Sequence, residues 1–383
     1  MPISSGFSFD IPTPGKLDLL SGGIFPQWYP SPSGPTLNGT FSSQNALAIP
    51  LTSEHTAAIL WEFMQTHMFT RRSLDLKSRE ANPPRSCGHD PTQPRPIAIS
   101  HLGIFSGLVD YLVQENTCPR PRYKRRPAQH RKNTDVQNAC LAAFEVCLSD
   151  VHAPFETLST LSPYDIAHNR STQFPEPFAY GFLNREEIQQ RLGVDIRGAT
   201  ASTIPLVILH FPALGELLDH GIPVTLAYGD RDYGANWFGG EALTKSIPFN
   251  ASAPFLSAGY QDFLVQGAIA GKTRQAGLLS FTRIFQAGHA IPFYNPPATY
   301  ALFRRAMSNT DIPRGLLPAS AADASFSTSG PKSIRHLTQV AGPVRGSTFC
   351  YVLAPPLVLG QCSAEQLAGL QDGSALVVDF IVQ

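Results

Sequence analysis

Ile222-Pro-Val-Thr-Leu-Ala-Tyr-Gly-Asp-Arg-Asp-Tyr-Gly-Ala-Asn-Trp-Phe-Gly-Gly240 carries the reading of this chain: an apolar, strand-like run delivers two acids, Asp230 and Asp232, onto a glycine-rich loop. A second run, Phe281-Thr-Arg-Ile-Phe-Gln-Ala-Gly-His-Ala-Ile-Pro292, is β-branched and aromatic and ends on Gly288 and His289. An acid and an imidazole therefore each sit just past the C-terminal end of a predicted strand, which is where open α/β sheets keep their chemistry. The 57 residues from Asp232 to His289 leave room for a crossover helix between the two strands.

The flanking segments supply helices for such a sheet. Phe211 to His220 predicts a helix with Leu214, Leu217 and Leu218 on its buried side, handing over through Gly221 to the Asp232 strand. Pro296 and Pro297 open another through Tyr300, Leu302, Phe303 and Met307. Upstream, Thr52 or Ser53 can cap a helix whose Ala57, Leu60, Trp61, Met64 and Met68 recur at three- and four-residue spacing, a stripe that reads as core packing. Ile97 to Phe105 has strand composition, a helix carries Cys140 and Cys147, and a loop-rich region runs on to Ala179. Asn184 caps Arg185 to Leu192, with Glu187 at the capping-box position and Gly193 as the stop. The Ser/Ala-rich span from Ala319 to Ser333 predicts a linker. A short helix around Glu365 to Leu370 follows, then Ala375 to Val382, whose alternation suits an edge strand. The class is α/β: a mixed, mostly parallel sheet with helices on both faces.

Twenty-nine basic residues balance 29 acidic ones in 383 residues, and only 15% are charged, so there is no general attraction to nucleic acid or an anionic membrane. Seven of the thirteen residues from 120 to 132 are Lys or Arg, broken by prolines; the stretch reads as a solvated loop. No apolar run reaches the roughly 18 residues of a membrane span, and Met1-Pro-Ile-Ser-Ser has no signal-peptide pattern. Six cysteines form no Cys-x-x-Cys unit, so disulfides are expected and a zinc site is not. Asn38, Asn169 and Asn250 open Asn-x-Ser/Thr sequons and are glycosylation candidates.

Gly-Asp-Arg-Asp-Tyr-x-x-Asn-Trp-x-Gly-Gly from Gly229, with Gln-Ala-Gly-His-x-Ile-Pro-x-Tyr-x-Pro from Gln286, resembles the two C-terminal catalytic segments of serine carboxypeptidases, more narrowly their fungal secreted branch. Pro2-Ile-Ser-Ser-Gly-Phe-Ser-Phe9, Leu60-Trp-Glu-Phe-Met-Gln65 and Gly107-Leu-Val-Asp-Tyr111 resemble further family segments, as does the Cys350 to Val382 tail. The resemblance implies an α/β-hydrolase fold, in which acid and then His follow an earlier nucleophile along the chain. Asp232 is then the triad acid, His289 the base and Asp230 structural; Asn236 and Trp237 fall on the substrate side, and Cys350 pairs with Cys362. Peptide substrates are implied, with no cofactor and no metal, in a secreted or vacuolar setting.

Two departures from the family pattern set the functional expectation. Relatives carry a signal peptide, sheet strands and an Asn-Gly-Gly-Pro-Gly oxyanion loop ahead of the segment that Pro2 to Phe9 resembles, so the fold is expected to be incomplete: a partial hydrolase domain over 1–320 with 117–205 as a cap-like insertion, then a linker and disulfide-containing tail over 321–383. The nucleophile of relatives aligns near Ser86 in Pro84-Arg-Ser-Cys-Gly-His89, where Pro83, Pro84 and Arg85 are at odds with the strand and small residues that a nucleophile elbow needs. The expectation is a serine-type carboxypeptidase homologue, inactive as written. The alternatives are a non-catalytic peptide-binding protein on a hydrolase scaffold, or an acyltransferase on the same scaffold.

Overall fold

The structure, a computed structural model, describes residues 12–18, 23–30, 36–41, 57–58, 61, 99–114, 149–150, 153–169, 185–192, 212–319, 326–337, 350, 362–378 and 381–382. Ser86, Cys140, Cys147, the cap at Asn184, the basic stretch 120–132 and most of the expected helix around Leu60 lie outside these residues. The chain divides into two units, one formed by Met1–Ala98, Glu176–Val207 and Thr348–Gln383, the other by Ile99–Pro175 and Ile208–Ser347.

In the first unit, β1 (Thr13–Asp18), β2 (Ile24–Pro26) and β3 (Thr36–Phe41) form an antiparallel sheet in the order β2-β1-β3, with Leu17 and Phe41 buried. The tail is a separate knot of structure. Ser363 and Gln366 make a reciprocal capping box on the helix Ala364–Asp372, and Gly373, at φ 79°, ends it in the left-handed conformation that glycine accepts most readily. The single edge strand expected over Ala375 to Val382 is instead two short strands, Val377–Val378 paired antiparallel with Ile381–Val382. Reversal lets both halves reach one small cluster, where Cys350, Leu370 and Val382 are buried and Val377 packs against them. Cys350 and Cys362 are disulfide-bonded, with Cα atoms 4.4 Å apart, and Val382 N–H donates to the Cys350 carbonyl at 2.9 Å.

The second unit is built on a five-stranded sheet. After β4 (Leu102–Phe105) and the two-strand hairpin β5 (Leu161–Ser162) and β6 (Asp165–Asn169) come β7 (Val224–Gly229), β8 (Gln261–Val265), β9 (Ala268–Ala276) and β10 (Leu279–Ile284). The sheet order is β4-β7-β10-β9-β8. β4 and β10 both run parallel to β7, whereas β10 with β9 and β9 with β8 are antiparallel. The sheet is thus mixed as expected, but half of its pairings are antiparallel. The cause is two tight turns. Gln266 and Gly267 both have positive φ (51° and 84°), and Gly277 does (54°), so two-residue hairpins join β8 to β9 and β9 to β10 without a crossover.

All six residues of β7 and of β10 are buried, because helices cover both faces. On one face Val224, Leu226, Tyr228 and Phe281 meet Leu214 and Leu218 of the helix Pro212–Asp219, Leu243 of Trp237–Ser246 and Phe255 of Ser252–Ser257. On the other, Ala227 and Ile284 meet Ile291 of the helix Ile291–Tyr294 and Leu302 of Pro296–Met307. Each large apolar side chain sealed in this way contributes about 2 kcal/mol. The polar members of β10 find partners: Ser280 donates to Thr225, Thr282 bonds Thr273, and Arg283 donates through both terminal nitrogens to the carbonyls of Ile334 and Leu337, its Nε being buried without a partner.

The described part of the linker expected over Ala319 to Ser333 is packed and not free, while 320–325 lie outside the described residues. From Phe326 the chain lies along the sheet: Thr328 exchanges backbone bonds with Gln275 and Gly259, Tyr260 N–H donates to the Pro331 carbonyl, and Ile334 is buried. A Ser/Ala-rich composition hides this packing because main-chain hydrogen bonds, not apolar side chains, supply most of it.

Candidate active site

The site grows from the register of two strands. Gly229 of β7 stands opposite Ile284 of β10 in a parallel pair, so the loops after both strands leave the same edge of the sheet. They are then tied together. Asp230 N–H donates to the Ile284 carbonyl (3.0 Å) and Arg231 N–H to the Ala287 carbonyl (2.9 Å). Such closeness needs a glycine at 229, where a Cβ would stand 2.2 Å from the Ala287 oxygen and 2.5 Å from the Gly288 oxygen.

At the end of these loops the Oδ2 of Asp232 accepts from Nδ1 of His289 at 2.9 Å, while its Oδ1 accepts from the Ala235 N–H at 2.9 Å. The Asp232 side chain is fully enclosed; the imidazole is 44% exposed. One edge of the ring is therefore locked onto a buried carboxylate, which also fixes the tautomer with the proton on Nδ1 when the ring is neutral, and the Nε2 side is left for proton exchange. The Asp232 hydrogen bond raises the His289 pKa, against an opposing push from burial.

Asp230, two residues before, has a different job. Its Oδ1 accepts from the Ala287 N–H at 3.3 Å and its Oδ2 lies 3.7 Å from Arg283, both inside the protein. Burial pushes its pKa up to about 6, against Arg283 and the Ala287 amide. Asn236 and Trp237, expected on the substrate side, both make contacts within the fold. Asn236 caps the helix Trp237–Ser246 by accepting from the Gly239 N–H at 2.9 Å; Trp237 is 4% exposed, with the Arg283 guanidinium 4.3 Å from its ring centre. Asn38, Asn169 and Asn250 are all exposed.

A third segment closes around the pair. The turn between β5 and β6 places Tyr164 and Asp165 against both loops: the Tyr164 carbonyl accepts from the His289 N–H at 2.7 Å, and Asp165 binds Arg231 at 2.8 Å. Asp165, Arg231 and His168 are buried, and burial lowers the His168 pKa. In the sequence this region reads as loop. Its strands are two and five residues long, and the buried positions of β6 are Asp165 and His168, the reverse of the pattern by which a half-buried strand is recognised. The one signal available was Pro163-Tyr164 between two strand-compatible pieces. Among the described residues, no group of three or more His, Cys, Asp or Glu side chains is placed to hold a metal ion, and no helix is long and apolar enough to cross a membrane.

The family model for serine carboxypeptidases matches residues 109–309, a span that holds both Asp232 and His289. The chain belongs to the serine carboxypeptidase family. It is similar to Carboxypeptidase S1 homolog A of Arthroderma otae, with 28% identity over 464 aligned positions that take in all of this chain and 70% of the relative. Carboxypeptidase S1 homolog B of the same organism is 32% identical over 75% of this chain and 46% of its own length. Carboxypeptidase S1 homolog A of Arthroderma benhamiae is 33% identical over 76% of this chain and 45% of its own. In these last two alignments the chain spans about half of the relative. Among solved structures, the Saccharomyces cerevisiae prohormone-processing carboxypeptidase Kex1(Δ)p matches 52% of each chain at 14% identity, with a TM-score of 0.35.

Proposed function

We propose that Asp232 and His289 are the acid–base half of a Ser-His-Asp centre that removes C-terminal residues from peptides, on a sheet that is the C-terminal part of an α/β-hydrolase fold. The observation that carries this reading is the 2.9 Å bond from an exposed imidazole to a fully enclosed carboxylate, both on loops at the C-terminal edge of a parallel strand pair. In this reading Nε2 of His289 takes the proton as a serine Oγ attacks the scissile carbonyl, and returns it to the departing amine. Water then hydrolyses the acyl-enzyme by the same route. Asp232 keeps the imidazole oriented and stabilises its charged form without itself becoming protonated.

Ser86 is the candidate nucleophile. The prolines and arginine before it favour a second reading, a chain that binds peptides without cleaving them. A purified protein assayed on a blocked dipeptide, with Ser86→Ala and His289→Ala beside it, separates the two. Cleavage lost in both variants supports the triad, and cleavage lost only in His289→Ala moves the nucleophile elsewhere. Peptide binding without cleavage supports the second reading, and neither binding nor cleavage would overturn both. A secreted or vacuolar setting fits the Cys350–Cys362 disulfide and the three exposed sequon asparagines.

A further inference from the structure

The His289 loop does not hold itself in place. Gly288 is pressed between the Tyr164 carbonyl, Asp165 and the Tyr294 ring, where an added Cβ would stand 2.4, 2.7 and 2.9 Å from their nearest atoms. The His289 N–H is spent on that same Tyr164 carbonyl. The imidazole backbone is therefore held by the turn 163–166 in addition to the crossing at Gly229. That turn is anchored in its own right to the Asp232 loop: the Pro163 carbonyl accepts from the N–H groups of both Tyr233 (3.0 Å) and Gly234 (2.9 Å), and Ile166 N–H donates to the Arg231 carbonyl (3.0 Å). The rings of Phe155 and Tyr233 stack at 4.1 Å beside it.

At the centre of this bridge lies the ion pair of Arg231 with Asp165, whose Oδ2 also has His168 Nε2 at 3.7 Å and whose carboxyl is hydrogen-bonded by Tyr294. Arg231, between the two acids of the Asp loop, donates through Nη2 to Oδ2 of Asp165, while Oδ1 of Asp165 accepts from the Ala167 N–H at 2.9 Å and fixes the turn's own shape. Asp165 is 1% exposed and Arg231 7%. A buried pair of this kind gains little net stability, since desolvation offsets attraction, but removing one member leaves a charge stranded. Its value lies in geometry: the pair holds together only when the turn is seated.

We propose that Asp165 and Arg231 form a latch that seats the 163–166 turn across the Asp232 and His289 loops and thereby aligns the imidazole with its carboxylate; both are positioning residues for the proton transfer. The inference rests on the reading of Asp232 and His289 as the working acid–base pair, but its test does not require turnover. In the full chain, the His289 imidazole would be titrated by NMR in wild type, Asp232→Asn and Asp165→Asn.

Loss of the direct partner in Asp232→Asn should drop the His289 pKa to or below 6.5, its ordinary value. Asp165→Asn, with Asp232 intact, should lower it by about half a unit or more toward that value. An unmoved His289 pKa in folded Asp165→Asn, with Asp232→Asn effective, overturns the latch alone; an ineffective Asp232→Asn overturns the acid–base reading itself. Should Asp165→Asn fail to fold, amide exchange in the wild type decides. The amides of Ile166, Tyr233, Gly234 and His289 should share one protection level, because one opening frees them all. A His289 amide exchanging about tenfold or more faster than the other three would overturn the proposal.

Discussion

Replacing Gly229 by alanine adds a single methyl group at the point where the two functional loops cross. That methyl would sit 2.2 Å from the Ala287 carbonyl oxygen, 2.5 Å from that of Gly288 and 2.7 Å from the Ala287 carbonyl carbon. All three are main-chain atoms, so no side chain can swing away. Ordinary contact begins at 3.4 Å, and the loops must part by about 1.2 Å to reach it. The bonds tying Asp230 to Ile284 and Arg231 to Ala287 start at 3.0 and 2.9 Å, and a displacement of that size takes them out of hydrogen-bond range. Overpacking at such a place destabilises by about 1–3 kcal/mol. For 383 residues, with an unfolding entropy of about 2.1 cal/mol/K per residue, that is a fall of about 1–4 °C in the unfolding midpoint.

The same displacement reaches the candidate pair. A 2.9 Å contact between His289 Nδ1 and Asp232 Oδ2 would lengthen toward 4 Å, and the hydrogen bond that raises the imidazole pKa would be lost. If the chain hydrolyses peptides, a misplacement of about 1 Å lowers kcat/KM on the order of a hundredfold. Differential scanning calorimetry and an NMR titration of His289 measure the two effects independently. A Gly229→Ala variant with wild-type midpoint and wild-type His289 pKa would refute the crossing-loop account, since no path exists for the methyl group that leaves both unchanged.

Asp230→Asn tests the neighbouring acid. Burial puts the folded pKa of Asp230 at about 6 against an ordinary 3.8, so folding binds a proton between these values and wild-type stability declines as pH rises through the window. The change amounts to about 3 kcal/mol; urea unfolding from about pH 4 to pH 7 should show the wild type losing this much relative to Asp230→Asn, and parallel curves would refute it. His289 behaves oppositely in charge. Its folded pKa is raised by Asp232, so the stability it adds is full below the ordinary 6.5 and disappears as pH climbs through the folded pKa. The stability gap between wild type and His289→Gln should accordingly be widest in acid and close in mild alkali. In the tail, Cys350→Ser removes a cross-link between residues 12 apart, worth about 3 kcal/mol by loop-closure entropy. Amide exchange in Ala364–Asp372 should rise on that substitution, and unchanged protection would mean that the capping box and the small apolar cluster suffice alone.

The sheet that carries the pair was legible because β7 and β10 are covered on both faces and so read as continuous apolar or β-branched runs, each stopped by glycine. The helices Pro212–Asp219 and Pro296–Met307 were legible from spacing and from proline at the first helical position. Two features were not. β8 and β9 join the sheet through two-residue turns at Gln266-Gly267 and Gly277-Leu278, and nothing in their local composition says on which side of β10 they will add. The Asp165 turn escaped for a physical reason of the same order: its anchoring groups are one buried ion pair and a set of carbonyls, and hydrophobic periodicity is blind to both. Asn236 and Trp237 show the converse, since a sequence motif marks where residues stand and leaves their packing contacts to the fold. One is a cap and the other a core ring beneath Arg283.

Each contact named for the Asp232–His289 pair comes from residues 163–166, 229–235 and 284–294: the Ala235 amide, the Tyr164 carbonyl, the crossing at Gly229 and the latch through Arg231. An acid–base pair held in this way stays aligned whether or not a serine stands before it, because the hydrogen bond, the enclosed carboxylate and the seated turn are properties of the scaffold. The alignment is therefore a property of the two loops and the seated turn. The decisive comparison is between His289→Ala, which removes the base in either reading, and Ser86→Ala, which matters only if the Pro-rich segment delivers its hydroxyl to Nε2.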